Sequence, residues 1–112
     1  MELSKYMRDG VTVVALDGDL DSLSAPEAHA GLTELLPTSS GSMLVDMRRL
    51  RYMSSAGLRV LLLVYRRARQ EGVSLALAAI PAEVHAVMSA TGFLDAFTVA
   101  PTVDDGVRAL AT

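Results

Sequence analysis

The sequence predicts an α/β domain, with a mixed, mostly parallel β-sheet, an N-terminal β-hairpin and about four α-helices. Three observations carry this. Short apolar runs of strand length alternate with longer runs of helical periodicity along most of the chain. An Arg8-Asp9-Gly10 turn separates two strand-like runs near the start. Cap signals then punctuate the helices, with serine or threonine ahead of the periodic runs and glycine or proline behind them. Strand–helix alternation of this kind implies βαβ crossovers and parallel pairing, to which a hairpin adds one antiparallel strand.

Taken in order, Glu2 to Met7 and Val11 to Asp17 read as the hairpin. In the second strand Thr12, Val14 and Leu16 face one side and Val11, Val13 and Ala15 the other. Both faces are mostly apolar, which suits a strand covered on both sides. Gly18-Asp19-Leu20-Asp21 reads as a loop. Ser24 and Glu27 are spaced as a capping box for a helix to about Leu36, stopped by Pro37. Ser42 to Met47 is the next strand, followed by a short arginine-bearing loop to Met53. Ser54 caps a helix that ends near Glu71, with Gly72 placed at C′. Val73 to Ala79 is a strand, and Pro81 to about Ala90 a helix closed at Gly92. Phe97-Thr98-Val99 is a short last strand, and Thr102 with Asp105 caps a final helix through Leu110. With no internal repeat, linker or low-complexity tract, residues 1–112 read as one domain.

Composition narrows the function. A chain of 112 residues can bury one self-sufficient core but not two. Half of it is hydrophobic (51%) and 21% is charged, the balance of a globular domain. A net charge of −3 argues against nucleic acid, whose phosphates demand a basic surface. Lys5 is the only lysine, while Arg48, Arg49, Arg51, Arg59, Arg66, Arg67 and Arg69 cluster mid-chain. With no cysteine there is neither a disulfide framework nor thiolate chemistry. No apolar run reaches the ~18 residues needed to cross a bilayer, and residues 1–10 lack a signal-peptide core. The expectation is a cytoplasmic domain that binds neither nucleic acid nor membrane.

The segment from Met43 to Leu58 is the richest in chemistry. Ser54 precedes the apolar run and is a natural N-cap, since its hydroxyl can accept an orphaned amide. Ser55 then falls in the first turn, where free amides and the helix dipole favour added negative charge. Along the helix Gly57, Val60, Leu61, Val64 and Ala68 share the sheet-facing side. Opposite them, in line with Ser55, lie Arg59, Leu62, Arg66 and Arg69, with Leu58 and Gln70 at the margins. Arg59 is four residues from Ser55 and is placed as a partial counter-ion for a phosphate there. Leu58 and Leu62, rimmed by arginines, read either as a docking surface or as ordinary surface scatter.

Catalysis finds little support. A nucleophile needs a base within hydrogen-bond reach. The only histidines, His29 and His85, sit mid-helix and beside Val84 and Val87, with no matching motif. Asp17-Gly18-Asp19 is acidic where a phosphate-binding loop needs amides and positive charge. Asp46, Asp104 and Asp105 show no metal-ligand spacing. The expectation is a non-enzymatic domain with no cofactor and no metal.

The run Tyr52-Met53-Ser54-Ser55-Ala56-Gly57-Leu58-Arg59-Val60-Leu61-Leu62 closely resembles the phosphorylation loop and following helix of STAS domains. More narrowly, it is similar to the anti-sigma factor antagonists of bacterial partner-switching pathways. Gly18-Asp19-Leu20-Asp21, Leu44-Val45-Asp46, the Thr91-Gly92-Phe93 to Phe97 segment and the capped last helix fit in order, so the resemblance covers essentially the whole chain. It implies a single STAS-type domain that, unphosphorylated, binds an anti-sigma factor serine kinase of the histidine-kinase-like ATPase fold. It also implies that the kinase phosphorylates Ser55, with Ser54 a secondary candidate, and that a metal-dependent serine phosphatase reverses this. Ser54 stands where many members carry aspartate, and Ala56 where others carry serine or threonine. The resemblance carries Asp21 over as a partner contact. Asp19 and Asp21 read equally well as turn residues bonding their own backbone. The implied partner surface is then Asp21, Ser54, Ser55, Leu58, Arg59, Leu62 and Arg66. The alternative is a constitutive STAS scaffold subunit of a signalling or lipid-transport assembly, which needs no phosphoacceptor. A third possibility is a STAS module that senses a small ligand in an apolar groove.

Overall fold

A computed structural model describes residues 1–37 and 41–111 of the chain. Strand β1 (Glu2–Arg8) and strand β2 (Val11–Leu20) form the antiparallel hairpin. Asp9 and Gly10 both have positive φ, 51° and 80°. Two consecutive left-handed residues make the tight turn whose twist matches that of the flanking strands. Helix α1 (Ala25–Leu35), strand β3 (Gly41–Met53), helix α2 (Ser55–Gln70) and strand β4 (Val73–Ala78) follow. Helix α3 (Ala82–Ala90), a 3₁₀ turn (Phe93–Ala96), strand β5 (Thr98–Ala100) and helix α4 (Val103–Leu110) complete the chain. The sheet runs in the order β1-β2-β3-β4-β5, antiparallel at the first pair and parallel thereafter.

Two stretches expected as loops are strand. Gly18 to Leu20 extends β2, and Met47 to Met53 extends β3, and the two extensions pair with each other up to Leu20 opposite Met53. Register shifts between Ala15 and Asp17 and between Gly18 and Asp19 break the usual alternation. Met47, Leu50 and Met53 are buried, while Arg48, Arg49, Arg51 and Tyr52 are exposed. A period of three does not read as a strand, which is why the arginines suggested a loop. The longer β3 carries the chain directly to Ser54.

The cap of α1 also differs from expectation. Ser24 makes no side-chain cap to α1. The reciprocal pair lies three residues upstream: Asp21 Oδ1 accepts from the Ser24 amide at 3.1 Å, and Ser24 Oγ accepts from the Asp21 amide at 3.0 Å. Asp21 is therefore the capping residue, and Ser24 plays the part expected of Glu27. The Thr102 cap of α4 is as expected, with the Asp105 amide donating to Oγ1 at 3.1 Å. Gly72 and Gly92 take left-handed φ values of 71° and 77° behind α2 and α3.

Apolar side chains of α1, α2 and α3 pack on one face of the sheet, around Val14, Leu16, Val45 and Leu77. Helix α4 covers the other face over Val13, Leu44, Ala76 and Ala100. A Cβ on Gly106 would stand 2.6 Å from Leu44 Cδ1, so glycine lets α4 sit down on the sheet. Phe97 begins no strand. It turns into the core and meets Tyr65 edge-on, with ring centroids 5.2 Å apart.

Candidate functional site

The serine pair sits where β3 hands over to α2. Ser54 is extended (φ −90°, ψ 175°), and its amide donates to the Leu20 carbonyl at 2.9 Å. Its Oγ accepts from the Gly57 amide at 3.3 Å, as the cap expectation required. Two contacts thus hold the start of α2 against the end of β2, this amide and the close approach of Gly57 to Leu20, while the cap closes the first turn itself. Ser55 is the first helical residue and its side chain is exposed. The first-turn amides there have no intrahelical acceptor, and no acidic residue occupies that turn. The hydroxyl is accessible and its surroundings favour negative charge.

Down α2, Val60, Leu61 and Val64 are buried, and Arg59 and Arg66 are exposed. Leu62 is half-buried rather than open. Leu58 departs from expectation: at 3% exposure it belongs to the core. Its position beside Gly57, where helix and strand approach most closely, draws it inward. What remains is a shallow groove of about 370 Å³, with Leu58 as floor and Leu62, Leu63 and Phe93 as apolar walls. Ser55, Arg59 and Arg66 rim it on α2, and Thr91 rims it from the end of α3. Thr91 Oγ1 lies 3.1 Å and 3.0 Å from the Val87 and Met88 carbonyls, closing its own helix.

Leu63, Thr91 and Phe93 belong to this groove although sequence reasoning passed over them as site residues. Leu63 hides between two positions of opposite assignment. Phe93 follows a helix-ending glycine, and only the 3₁₀ turn brings it back towards α2.

Asp21 is occupied by its own turn. Beyond Ser24, Oδ1 accepts from the Leu23 amide at 3.0 Å. These bonds, that from the Ser24 backbone foremost, hold the Asp21 carboxyl below the usual aspartate range. Asp19 faces Arg51 at 3.8 Å and Asp17 faces Arg49 at 3.9 Å across the β2–β3 extensions. These exposed pairs contribute little stability. Neither histidine lines the groove: His29 lies on α1 and His85 on α3. Among the described residues no group of three or more His, Asp or Glu side chains could hold a metal ion. Among the described residues no helix is long and apolar enough to cross a membrane.

A parallel sheet with one antiparallel edge, helices on both faces and a serine-headed helix anchored to the second strand is the arrangement of a STAS domain. The chain belongs to that family, whose model matches residues 2–106. It is 34% identical over 112 residues to Bordetella bronchiseptica BtrV, named as a candidate anti-sigma factor antagonist, covering 100% of this chain and 97% of that protein. It is 28% identical over 102 residues to the anti-sigma F factor antagonist of Paenibacillus polymyxa, covering 90% and 85%. Among solved structures, an anti-sigma factor antagonist from Mycobacterium paratuberculosis superposes with a TM-score of 0.82, covering 99% of this chain and 94% of that one. At 22% identity, that likeness speaks to the fold alone.

Proposed function

We propose that this chain is an anti-sigma factor antagonist of a cytoplasmic partner switch. Unphosphorylated, it binds a cognate anti-sigma serine kinase of the histidine-kinase-like ATPase fold. Phosphorylation at Ser55 ends that binding, and a serine phosphatase restores it. The observation that carries the reading is Ser55 itself, an exposed hydroxyl at the first position of α2. Its support is rigid, since Ser54 and Gly57 are both tied to Leu20 or to each other. The names of the relatives from Bordetella bronchiseptica and Paenibacillus polymyxa support the same role.

The mechanism needs no refolding. A phosphate adds about −1.5 to −2 charges. At the first turn that charge is locally favoured, so the domain keeps its fold. At an interface core the same charge must be desolvated with no more than Arg59 as a partial counter-ion, which costs several kcal/mol. Ser54 is a weaker acceptor candidate, because its oxygen is engaged by the Gly57 amide.

The test is to incubate the purified chain with Mg-ATP and each histidine-kinase-like ATPase of its own genome. One kinase should add a single phosphate, mapped to Ser55, and Ser55→Ala should bind that kinase constitutively. A phosphate mapped to Ser54 or Thr91 overturns the residue assignment. The absence of any phosphate transfer leaves the scaffold reading in front.

A further inference from the structure

The groove beside Ser55 has a charge pattern of its own. Arg69 sits 6.0 Å over the Tyr65 ring, and the arginines outside the groove are otherwise ion-paired. Arg59 and Arg66 differ. Among the described residues neither has a carboxylate within ion-pair distance or an aromatic face, and both line the apolar groove. They are seven positions apart, two helical turns, which places them roughly 10 Å apart along the groove. An exposed guanidinium needs no partner on its own account. Two of them flanking half-buried Leu62 and Leu63, opposite Phe93, form a surface complementary to one particular chemistry.

We propose that this groove receives an acidic segment of the protein partner, with one large apolar side chain seated between Leu62 and Phe93. Carboxylates on either side of that side chain meet Arg59 and Arg66. In an extended segment, roughly three residues span the distance between the two guanidiniums. The groove holds one such anchor, and charge complementarity sets the register and rejects basic segments. This rests on the partner-switch reading and adds the chemistry of the partner's contacting segment. It also gives the phosphate a second effect: Ser55 is four residues before Arg59, so a phosphate there can recruit that guanidinium. The partner's carboxylate then loses its counter-ion and faces a like charge.

The probe is a random peptide library displayed on phage and selected on the unphosphorylated full chain. Enriched peptides should carry a large apolar residue flanked by Asp or Glu. On the doubly charge-reversed variant, Arg59→Glu with Arg66→Glu, enrichment should move to Lys and Arg flanks. A selected acidic peptide should lose at least tenfold in affinity on that variant, and less on Arg59→Gln with Arg66→Gln. Amide spectra of each variant verify the fold. Selection of peptides without acidic flanks, or identical selection on both proteins, overturns the proposal. So does decanoate shifting the groove amides while acidic peptides do not, which would make the groove a site for a small amphiphile.

A kinase arm separates this proposal from the reading beneath it. If a kinase phosphorylates Ser55 and binds the charge-reversed variant unchanged, the docking proposal fails alone. If acidic peptides seat in the groove but no kinase binds or transfers phosphate, the groove stands and the kinase is removed.

Discussion

Gly57 on α2 and Leu20 at the end of β2 approach so closely that no side chain fits between them. A Cβ built on Gly57 would lie 2.7 Å from Leu20 Cγ and 3.0 Å from its carbonyl carbon. The Leu20 carbonyl also accepts the Ser54 amide, so this one residue fixes both the start of α2 and the place of Ser55.

Gly57→Ala should therefore destabilise the domain despite alanine's better helix propensity. The propensity gain is about 1 kcal/mol. Overpacking against backbone costs about 1–3 kcal/mol, because a carbonyl cannot move aside as a flexible side chain can. Chemical denaturation should show a net loss, and phosphorylation of the variant should be slower than of the wild type. A variant as stable as the parent would mean that α2 can slide.

Leu61 and Leu62 are neighbours with different fates. Leu61, 1% exposed, should lose about 2–5 kcal/mol on truncation to alanine through the cavity left behind. Leu62→Ala should cost less than Leu61→Ala, because the Leu62 side chain is only partly buried and gives up less apolar burial. Leu58→Ala now belongs with Leu61. Its buried side chain makes the substitution a test of folding rather than of docking. Urea melts of the three variants decide the order.

Ala79 follows the last residue of β4 with a φ of 56°, a conformation that alanine adopts at a cost. Its amide still donates to the Ala100 carbonyl at 3.1 Å, so the geometry is held by β5. Ala79→Gly should stabilise by up to about 1 kcal/mol, because glycine takes this φ without strain. An unchanged or lowered melting temperature would show that the strain is offset by chain entropy.

The Asp21 turn has a pH signature. Its carboxyl is held below the usual range by the Ser24 and Leu23 amides, so the charged form is the one the fold favours. A depressed folded-state pKa contributes stability that is present above the unfolded value and is lost as pH falls through the folded one. Asp21→Ala should thus melt earlier than wild type at pH 7, and the gap should close as the medium becomes more acidic than the ordinary aspartate range. A gap independent of pH would place the effect in helix propensity instead.

Much of this was legible from residue order, for identifiable reasons. Caps such as Ser54 and Thr102 are local, needing only a hydroxyl and an amide three residues away. The alternation of elements and the inward face of α2 follow from periodicity alone. What escaped depends on distant pairing. The strand character of Met47 to Met53 arises because Gly18 to Leu20 lies alongside it, and two register shifts erase its alternation. The shifted capping box was missed because Ser24 and Glu27 match the pattern as well as Asp21 and Ser24 do. Leu58 was placed at the surface because a helical wheel does not show how closely β2 approaches. The groove needed Phe93, whose return towards α2 is written in no local pattern.

The phosphate at Ser55 is the centre of the account, and one calorimetric comparison addresses it directly. The cognate kinase is titrated with the unphosphorylated chain and with the chain phosphorylated at Ser55, under the same salt. Loss of a few kcal/mol at a desolvated contact corresponds to a weakening of roughly 30-fold or more. Ser55→Asp should fall between the two, since a carboxylate carries less charge than a phosphate. The melting temperatures of the two forms should differ little. Equal affinity of the phosphorylated and unphosphorylated chains for the kinase would contradict the switch.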